Sequence, residues 1–400
     1  MADTTVATAV AGASDKTGLW GPYWISTTVG MIIFIDSASD PHYARTADGG
    51  ATWTDEGALD AITCQRLSCW FDQETPGDSG TLVHCAYLDS TGGDRAKYMT
   101  IDVSDATLGT KRTVDSTVTV SASKGDHRIA ITKARNGNLI IAFTTQDDLE
   151  CYRSVDAGEN WTDRADPFET ATEEDWLLLF PANVDDGDVA GVFWDRSADA
   201  ITVKMYDDSA NSWTETAILS SMTDDTQHIN MDGAVRHSDG VIVCCAHSND
   251  DATGDDLRTF TVNPNSIASP TVVTTTANVF TNQGAAAQCC VLVNQQNDDV
   301  YIAYCKGGTW QVTTDIVYHI SDDNMASWGV EQAYSEAAAD DNRRVQAGRT
   351  IGDSGGFFQP VWFDDDDTDL YVNLVNDVAI AAVVADTGHV GWMGLTGVGI

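Results

Sequence analysis

Short apolar runs of strand length, broken at intervals by glycine, aspartate, asparagine and serine, fill the chain from Gly18 onward. The first set comprises residues 23–28, 31–37, 42–46 and 52–59. Four such signals within about 45 residues are the content of one propeller blade. The unit recurs from Ile62, with runs at 67–71, 81–88, 97–103 and 111–114. It is clearest from His127, where 128–133 reads as an inner strand, Asn136 and Gly137 as its turn, 139–144 as the second strand and 151–161 as a third strand with a turn. Further units start at Trp176 (turn at Asp186 and Gly187, strand 189–194) and Gln227 (turn at Asp239 and Gly240, strands 241–247 and 258–262). The last two start at Asn282 (strands 300–305 and 316–320) and Arg343 (strands 357–363, 370–375 and 378–384). Seven starts separated by about 54 residues predict one closed ring, an all-β propeller of four-stranded antiparallel blades, and no helical period competes with the strand pattern. Blades are expected near 17–60, 62–115, 127–168, 176–219, 227–276, 282–336 and 341–386. Residues 1–16 read as a flexible arm or an extra strand on the last sheet, and the glycine-rich residues 387–400 as a tail.

The joins between third and fourth strands carry a repeated motif, Ser/Thr-x-Asp-x-Gly-x-x-Trp. It is present as Thr46, Asp48, Gly50 and Trp53, and again as Ser154, Asp156, Gly158 and Trp161. A weaker copy has Ser321, Asp323 and Trp328, with Asn324 expected in place of the glycine, and a decayed one has Asp208 and Trp213. Hydroxyl and carboxylate can bond the turn amides, glycine can take positive φ, and the indole can pack beside the blade. The motif resembles the Asp-box (BNR) repeat of sialidase-like β-propellers. That resemblance implies a structural role for the boxes, on the rim away from the functional face. Such propellers usually have six blades, which would hold here if the second and sixth units divide differently.

Composition adds charge to this picture. Sixty-one acidic residues face 21 basic ones, for a net charge of −40, and 51 of the acids are aspartate. Such a surface repels nucleic acid and anionic bilayers. No apolar run approaches the roughly 18 residues of a membrane span, and the first residues lack the basic and apolar regions of a signal peptide. Self-repulsion on this scale is relieved where salt shortens the Debye length to about 3 Å, near 1 M. A high-salt or marine source is therefore expected, with solubility alone as the other explanation.

The nine cysteines show no zinc spacing. The adjacent pairs Cys244 with Cys245 and Cys289 with Cys290 face opposite sides of a strand, so buried free thiols are expected ahead of disulfides such as Cys64 with Cys69 or Cys85 with Cys305. His42, His84, His237, His247 and His319 fall singly in strands or turns and read as structural, and no metal ligand set is assigned. Acidic stretches at 185–188, 249–256 and 364–369 could offer oxygens to Ca²⁺ but match no calcium-loop pattern, so solvated charge is expected. There is no phosphate-binding glycine loop and no nucleophile elbow.

Propeller sites form where inner strands converge on the axis. Aligning the units places Arg66, Arg128, Trp176, His228, Gln283 and Arg344 at equivalent positions near the start of each inner strand. Guanidinium forks suit carboxylates, and the resemblance implies a carboxylate-binding arginine triad. Only Arg128-Ile129-Ala130 approaches the family's first arginine signature, and no glutamate stands beside a tyrosine as a retaining mechanism of that type requires. Ion pairing of these arginines with neighbouring aspartates is the plainer reading. The expectation is a non-catalytic propeller for attachment or assembly that binds a surface glycan or protein partner, extracellular or on a virion, with a sialidase-type exo-glycoside hydrolase as the alternative.

Overall fold

The computed structural model describes residues 3–10, 18–91, 93, 95–118, 128–144, 149–167, 176–184, 186–195, 200–220, 229–248, 257–265, 271–280, 289–306, 315–335, 342–364, 367–374 and 377–383. Seven antiparallel sheets follow one another along the chain and close into a seven-bladed β-propeller. Their inner strands are Leu19–Trp24, Cys64–Phe71, Ile129–Lys133, Trp176–Pro181, Ile229–Val235, Cys289–Asn294 and Asn342–Gln346. Among the described residues the only helical element is a 3-10 turn, Asp72–Glu74.

First and second strands lie between neighbouring blades, so both of their faces are covered. They read as continuous apolar runs, such as the buried Gly30–Ile35, Leu139–Thr144 and Trp176–Pro181. Third strands have one wetter face, as in Leu149–Ser154, where buried and half-buried positions mix. All nine cysteines sit in this packing as buried free thiols. Cys69 and Cys85 face each other across a strand pair with their sulfurs 3.7 Å apart.

The seventh blade departs from the sequence expectation. Pro360 divides the expected strand 357–363 into Gly356–Phe358 and Val361–Asp364, because proline cannot donate to the ladder. The expected fourth strand at 378–384 instead contributes Val378–Ile380 to a separate two-stranded ribbon with Gly356–Phe358. The outer edge thus left open is taken by Thr4–Ala7, antiparallel to Asp369–Val372 with Thr4 opposite Val372. Both ends of the chain therefore build one sheet. Residues 387–400 lie outside the described residues.

Three turns share one bonding scheme. Thr46 Oγ1 accepts the Gly50 amide at 3.0 Å and donates to Asp48 Oδ1 at 2.9 Å. The Asp48 carboxylate in turn accepts the Thr52 amide at 2.9 Å and its hydroxyl at 2.7 Å. Ser154, Asp156, Gly158 and Asn160 repeat the scheme. So do Ser321, Asp323, Met325 and Ser327. In the third copy Met325, not Asn324, occupies the glycine position, because its amide bonds Ser321 Oγ; both residues have positive φ, 61° at Asn324 and 63° at Met325. The decayed copy also differs from expectation. Asp207 accepts the Ala210 amide there, while Asp208 pairs with Arg153 at 2.6 Å.

Each of these turns docks on the preceding blade. Asp208 reaches Arg153 and Arg164 of blade three. Asn324 Oδ1 accepts from Arg236 of blade five at 2.5 Å. Trp161 meets Tyr98 of blade two edge-on, with ring centroids 5.2 Å apart. A Cβ on Gly158 would lie 2.0 Å from the Tyr98 ring, and one on Gly50 would lie 2.6 Å from Gln359 of blade seven. The box is an inter-blade joint as well as a self-bonded hairpin.

Gly158 and Gly137 have φ of +88° and +89°, but a Cβ on Gly137 would meet nothing within 4 Å. Gly137→Ala should therefore cost only the left-handed penalty of about 1–2 kcal/mol. Gly158→Ala adds the Tyr98 clash and should cost about 1–3 kcal/mol more. Urea unfolding of the two variants measures the difference directly.

Candidate functional site

Inner strands of all seven blades run in the same sense, so their first residues share one face. Third strands run parallel to them, which places the self-bonded Ser/Thr-x-Asp turns on the opposite face. On the axis, near the starts of the inner strands, lies a cavity of about 660 Å³, counting its part open to solvent. Its wall is drawn from blades one to five and seven.

The chain after the last inner strand packs against the inner strands of other blades beside this cavity. Arg349 stacks on Trp20 of blade one with its guanidinium 4.9 Å from the ring centroid, and it lies 5.8 Å from Phe180 of blade four. Its Nη2 and Nε donate to Asp232 Oδ1 of blade five at 2.7 and 3.0 Å. One side chain thus reaches three blades that are not all neighbours. Thr350 and Ile351 then add a short parallel pairing to the inner strand of blade six, Val293 opposite Thr350. Gly348 is required here, since a Cβ would lie 2.1 Å from the Pro22 carbonyl oxygen.

Arg349, Asp232 and Glu74 form a buried electrostatic cluster. Asp232 Oδ2 accepts the Val291 amide at 3.0 Å and Gln346 Nε2 at 3.3 Å, so both of its oxygens are bonded. Burial opposes the charge on Arg349, but the pKa of the guanidinium is raised, with the charge of the Asp232 carboxylate the first cause. Burial pushes the Glu74 carboxyl up to about 8, against the pull of Arg349 and of the Phe71 amide, which donates to Glu74 Oε2 at 3.2 Å. Glu74 is thereby held protonated at neutral pH. Burial likewise raises the Tyr23 hydroxyl's pKa well above its ordinary value.

At the mouth the Arg128 guanidinium lies 4.6 Å from the Trp176 ring centroid, and both residues line the cavity. Arg344 joins them by a different device. Arg343 pairs with Phe363 and Gln346 with Val361, so three steps on the inner strand match two on its neighbour. That bulge turns Arg344 to a φ of 57° and brings it into the cavity lining. Backbone strain of this kind in a non-glycine residue costs about 1–3 kcal/mol and concentrates at binding sites.

Several solved structures are similar to the chain. An ulvan lyase of polysaccharide lyase family PL25 aligns with a TM-score of 0.52 at 10% identity, covering 93% of this chain and 94% of its own. AofleA from Arthrobotrys oligospora aligns with a TM-score of 0.50 at 11% identity, covering 80% and 89% respectively. A Hadza microbial sialidase, Hz136, aligns with a TM-score of 0.47 at 11% identity, covering 86% and 76%. What the ulvan lyase and AofleA share with this chain is the fold. No family model and no curated protein sequence matches the chain.

Of the six axial residues expected from sequence, the propeller brings Arg128, Trp176 and Arg344 to the cavity. Arg66 is not among the lining residues: it follows a one-residue bulge, is buried, and donates from Nη1 to the Gln65 carbonyl at 3.1 Å. His228 and Gln283 lie outside the described residues. Sequence reasoning missed Trp20, Ser68, Asn230, Asp232, Gln346 and Arg349. A weak signal for Arg349 was present, a third arginine within seven residues of Arg343 in a chain with 14 of them. The acidic stretch 249–256 lies outside the described residues. In the other two stretches, Asp188 Oδ1 accepts the Asp208 amide at 2.8 Å and Asp369 Oδ1 the Ala9 amide at 3.0 Å.

The Glu74 carboxyl's raised pKa sets a pH dependence. The folded protein holds the proton up to about pH 8, whereas the unfolded chain releases it near the ordinary value of about 4.3. The stability it contributes is complete below the unfolded pKa and is lost as pH rises through the folded one. Glu74→Gln should flatten this loss, on the order of a few kcal/mol between pH 5 and 8.5. Urea unfolding of both proteins across that range tests it.

Proposed function

We propose that the chain binds carbohydrate in its axial funnel and serves attachment or assembly at a cell or virion surface without catalysing a reaction. The observation that carries this reading is the mouth of the funnel. A bulge holds Arg344 toward the cavity at positive φ, opposite an arginine stacked on an indole, in a chain otherwise poor in cations. Indole faces and guanidinium forks are suited to sugar rings and to the hydroxyl and carboxylate groups on them. The likeness to the ulvan lyase adds that the propeller fold supports polysaccharide recognition, although fold alone does not specify a ligand.

A glycan array probed in 0.15 M and 2 M NaCl should give defined hits. Arg128→Ala and Arg344→Ala should each weaken the best hit at least tenfold, about 1.4 kcal/mol, with the melting temperature little changed. No hits at either salt concentration, or hits indifferent to both variants, would sink the reading. Release of product from an aryl sialoside or a polysaccharide, abolished by the same variants, would replace the non-catalytic part with a glycosidase or lyase.

With a net charge of −40, a high-salt origin is part of the same proposal. The melting temperature should rise between 0.05 M and 2 M NaCl as self-repulsion is screened. An equal value at both would remove that part.

A further inference from the structure

The turn between the second and third strands of blade one, Gly30–Ile35 and Pro41–Thr46, lies on the same face as the funnel mouth. Asp36 Oδ1 accepts the Asp40 amide at 2.8 Å, and Asp40 Oδ1 accepts the Ile62 amide at 2.8 Å. Each carboxylate is thus fixed by one oxygen to the backbone. One donor atom from each of Asp36, Asp40 and His42 lies within 4.8 Å of the other two. His42 rests against the Phe34 ring, its Nε2 is 3.4 Å from Asp36 Oδ2, and its Nδ1 is 3.3 Å from Asp55 Oδ1.

A hydrogen bond accounts for one side of that arrangement, His42 Nδ1 donating to Asp55 Oδ1, and leaves the contact of Nε2 with Asp36 unexplained. A neutral imidazole has one N–H, yet a carboxylate oxygen faces each ring nitrogen. Two donors each about 2.0–2.1 Å from a tetrahedral metal ion are about 3.4 Å apart, the separation found between His42 Nε2 and Asp36 Oδ2. Asp55 on the other nitrogen supplies the carboxylate–histidine support that metal-bound imidazoles commonly have. The half-buried setting, with side-chain exposures of 17% for His42 and 20% for Asp36, leaves room for solvent as a further ligand.

The geometry points to a divalent transition-metal site formed by Asp36, Asp40 and His42, with Asp55 positioning the imidazole. One imidazole with two carboxylates suits Zn²⁺, whereas Ca²⁺ takes six to eight oxygens. The ion ties the 36–40 turn to the connection into blade two, because Asp40 also holds the Ile62 amide. The nine thiols do not compete for it, all being buried.

Equilibrium dialysis of the full chain against ZnCl₂ tests the site, at pH 7.5 in 0.5 M NaCl with 10 mM CaCl₂ to suppress diffuse binding to the acidic surface. One Zn²⁺ per chain is expected. Asp36→Asn and His42→Gln should lower its affinity at least 100-fold, and Asp55→Asn about 10–100-fold, with the far-ultraviolet circular dichroism unchanged. The wild-type protein supplies a readout that needs no variant: Zn²⁺ should shift the ring-nitrogen NMR signals of His42 and of no other histidine. Absence of stoichiometric Zn²⁺, retention that survives His42→Gln, displacement by the calcium, or a His42 ring protonated on both nitrogens in the presence of Zn²⁺ would each overturn the proposal.

Discussion

A guanidinium carried to the dry axis of a propeller must meet its counter-charge there, since an unpaired buried ion costs several kcal/mol. Arg349 meets Asp232, and the pair binds together chain segments far apart in sequence. Asp232 can serve only because both of its oxygens are bonded, one by the guanidinium and the other by a backbone amide and a glutamine. That contact fixes Arg349 beside the axial cavity, and the next residues add the short pairing with blade six. Glu74, in the same cluster, carries no second anion into it because burial keeps it protonated.

Away from the axis the ring is held by two other means. Each of these turns between third and fourth strands, the decayed one included, sits against the blade before it, through an indole, a glycine with no room for a Cβ, or an arginine. Polar self-bonding fixes the turn, and the turn then acts as a rigid part in the blade-to-blade contact. The seam between the last blade and the first is closed by the N-terminal strand, so the sheet that completes the circle depends on both ends of the chain. The self-bonded turns thereby lie on one face and the mouth of the axial cavity, where binding is proposed, on the other.

Much of this architecture was legible in the sequence, for physical reasons. Strands buried on both faces must be apolar throughout, which made the runs around Ile32, Ile141 and Leu178 visible. The box residues were visible because a self-bonded turn needs a hydroxyl, a carboxylate and a positive-φ position at fixed spacing. Where side-chain identity alone had to decide, the reading slipped. Asn324 and Met325 both hold positive φ, at 61° and 63°, but it is the Met325 amide that reaches Ser321, and the Met325 side chain is buried in the core. Asp208 was drawn out of its turn by Arg153. Arg344 and Arg128 could be placed by counting along inner strands, but one extra residue diverted Arg66, and a bulge of that size leaves no mark in hydrophobic periodicity. The Arg349 segment could not be placed either, because residues 347–352 have no period and acquire their position only from the closed ring.

The central claim is that ligand enters the axial funnel from the face where the inner strands begin. A crystal structure of the protein soaked with its best-binding glycan decides this most directly. The account predicts sugar density between Arg128, Trp176 and Arg344, above an intact pair of Arg349 and Asp232. Sugar bound at the blade rims or on the Asp-box face, with only water in the funnel, would contradict it.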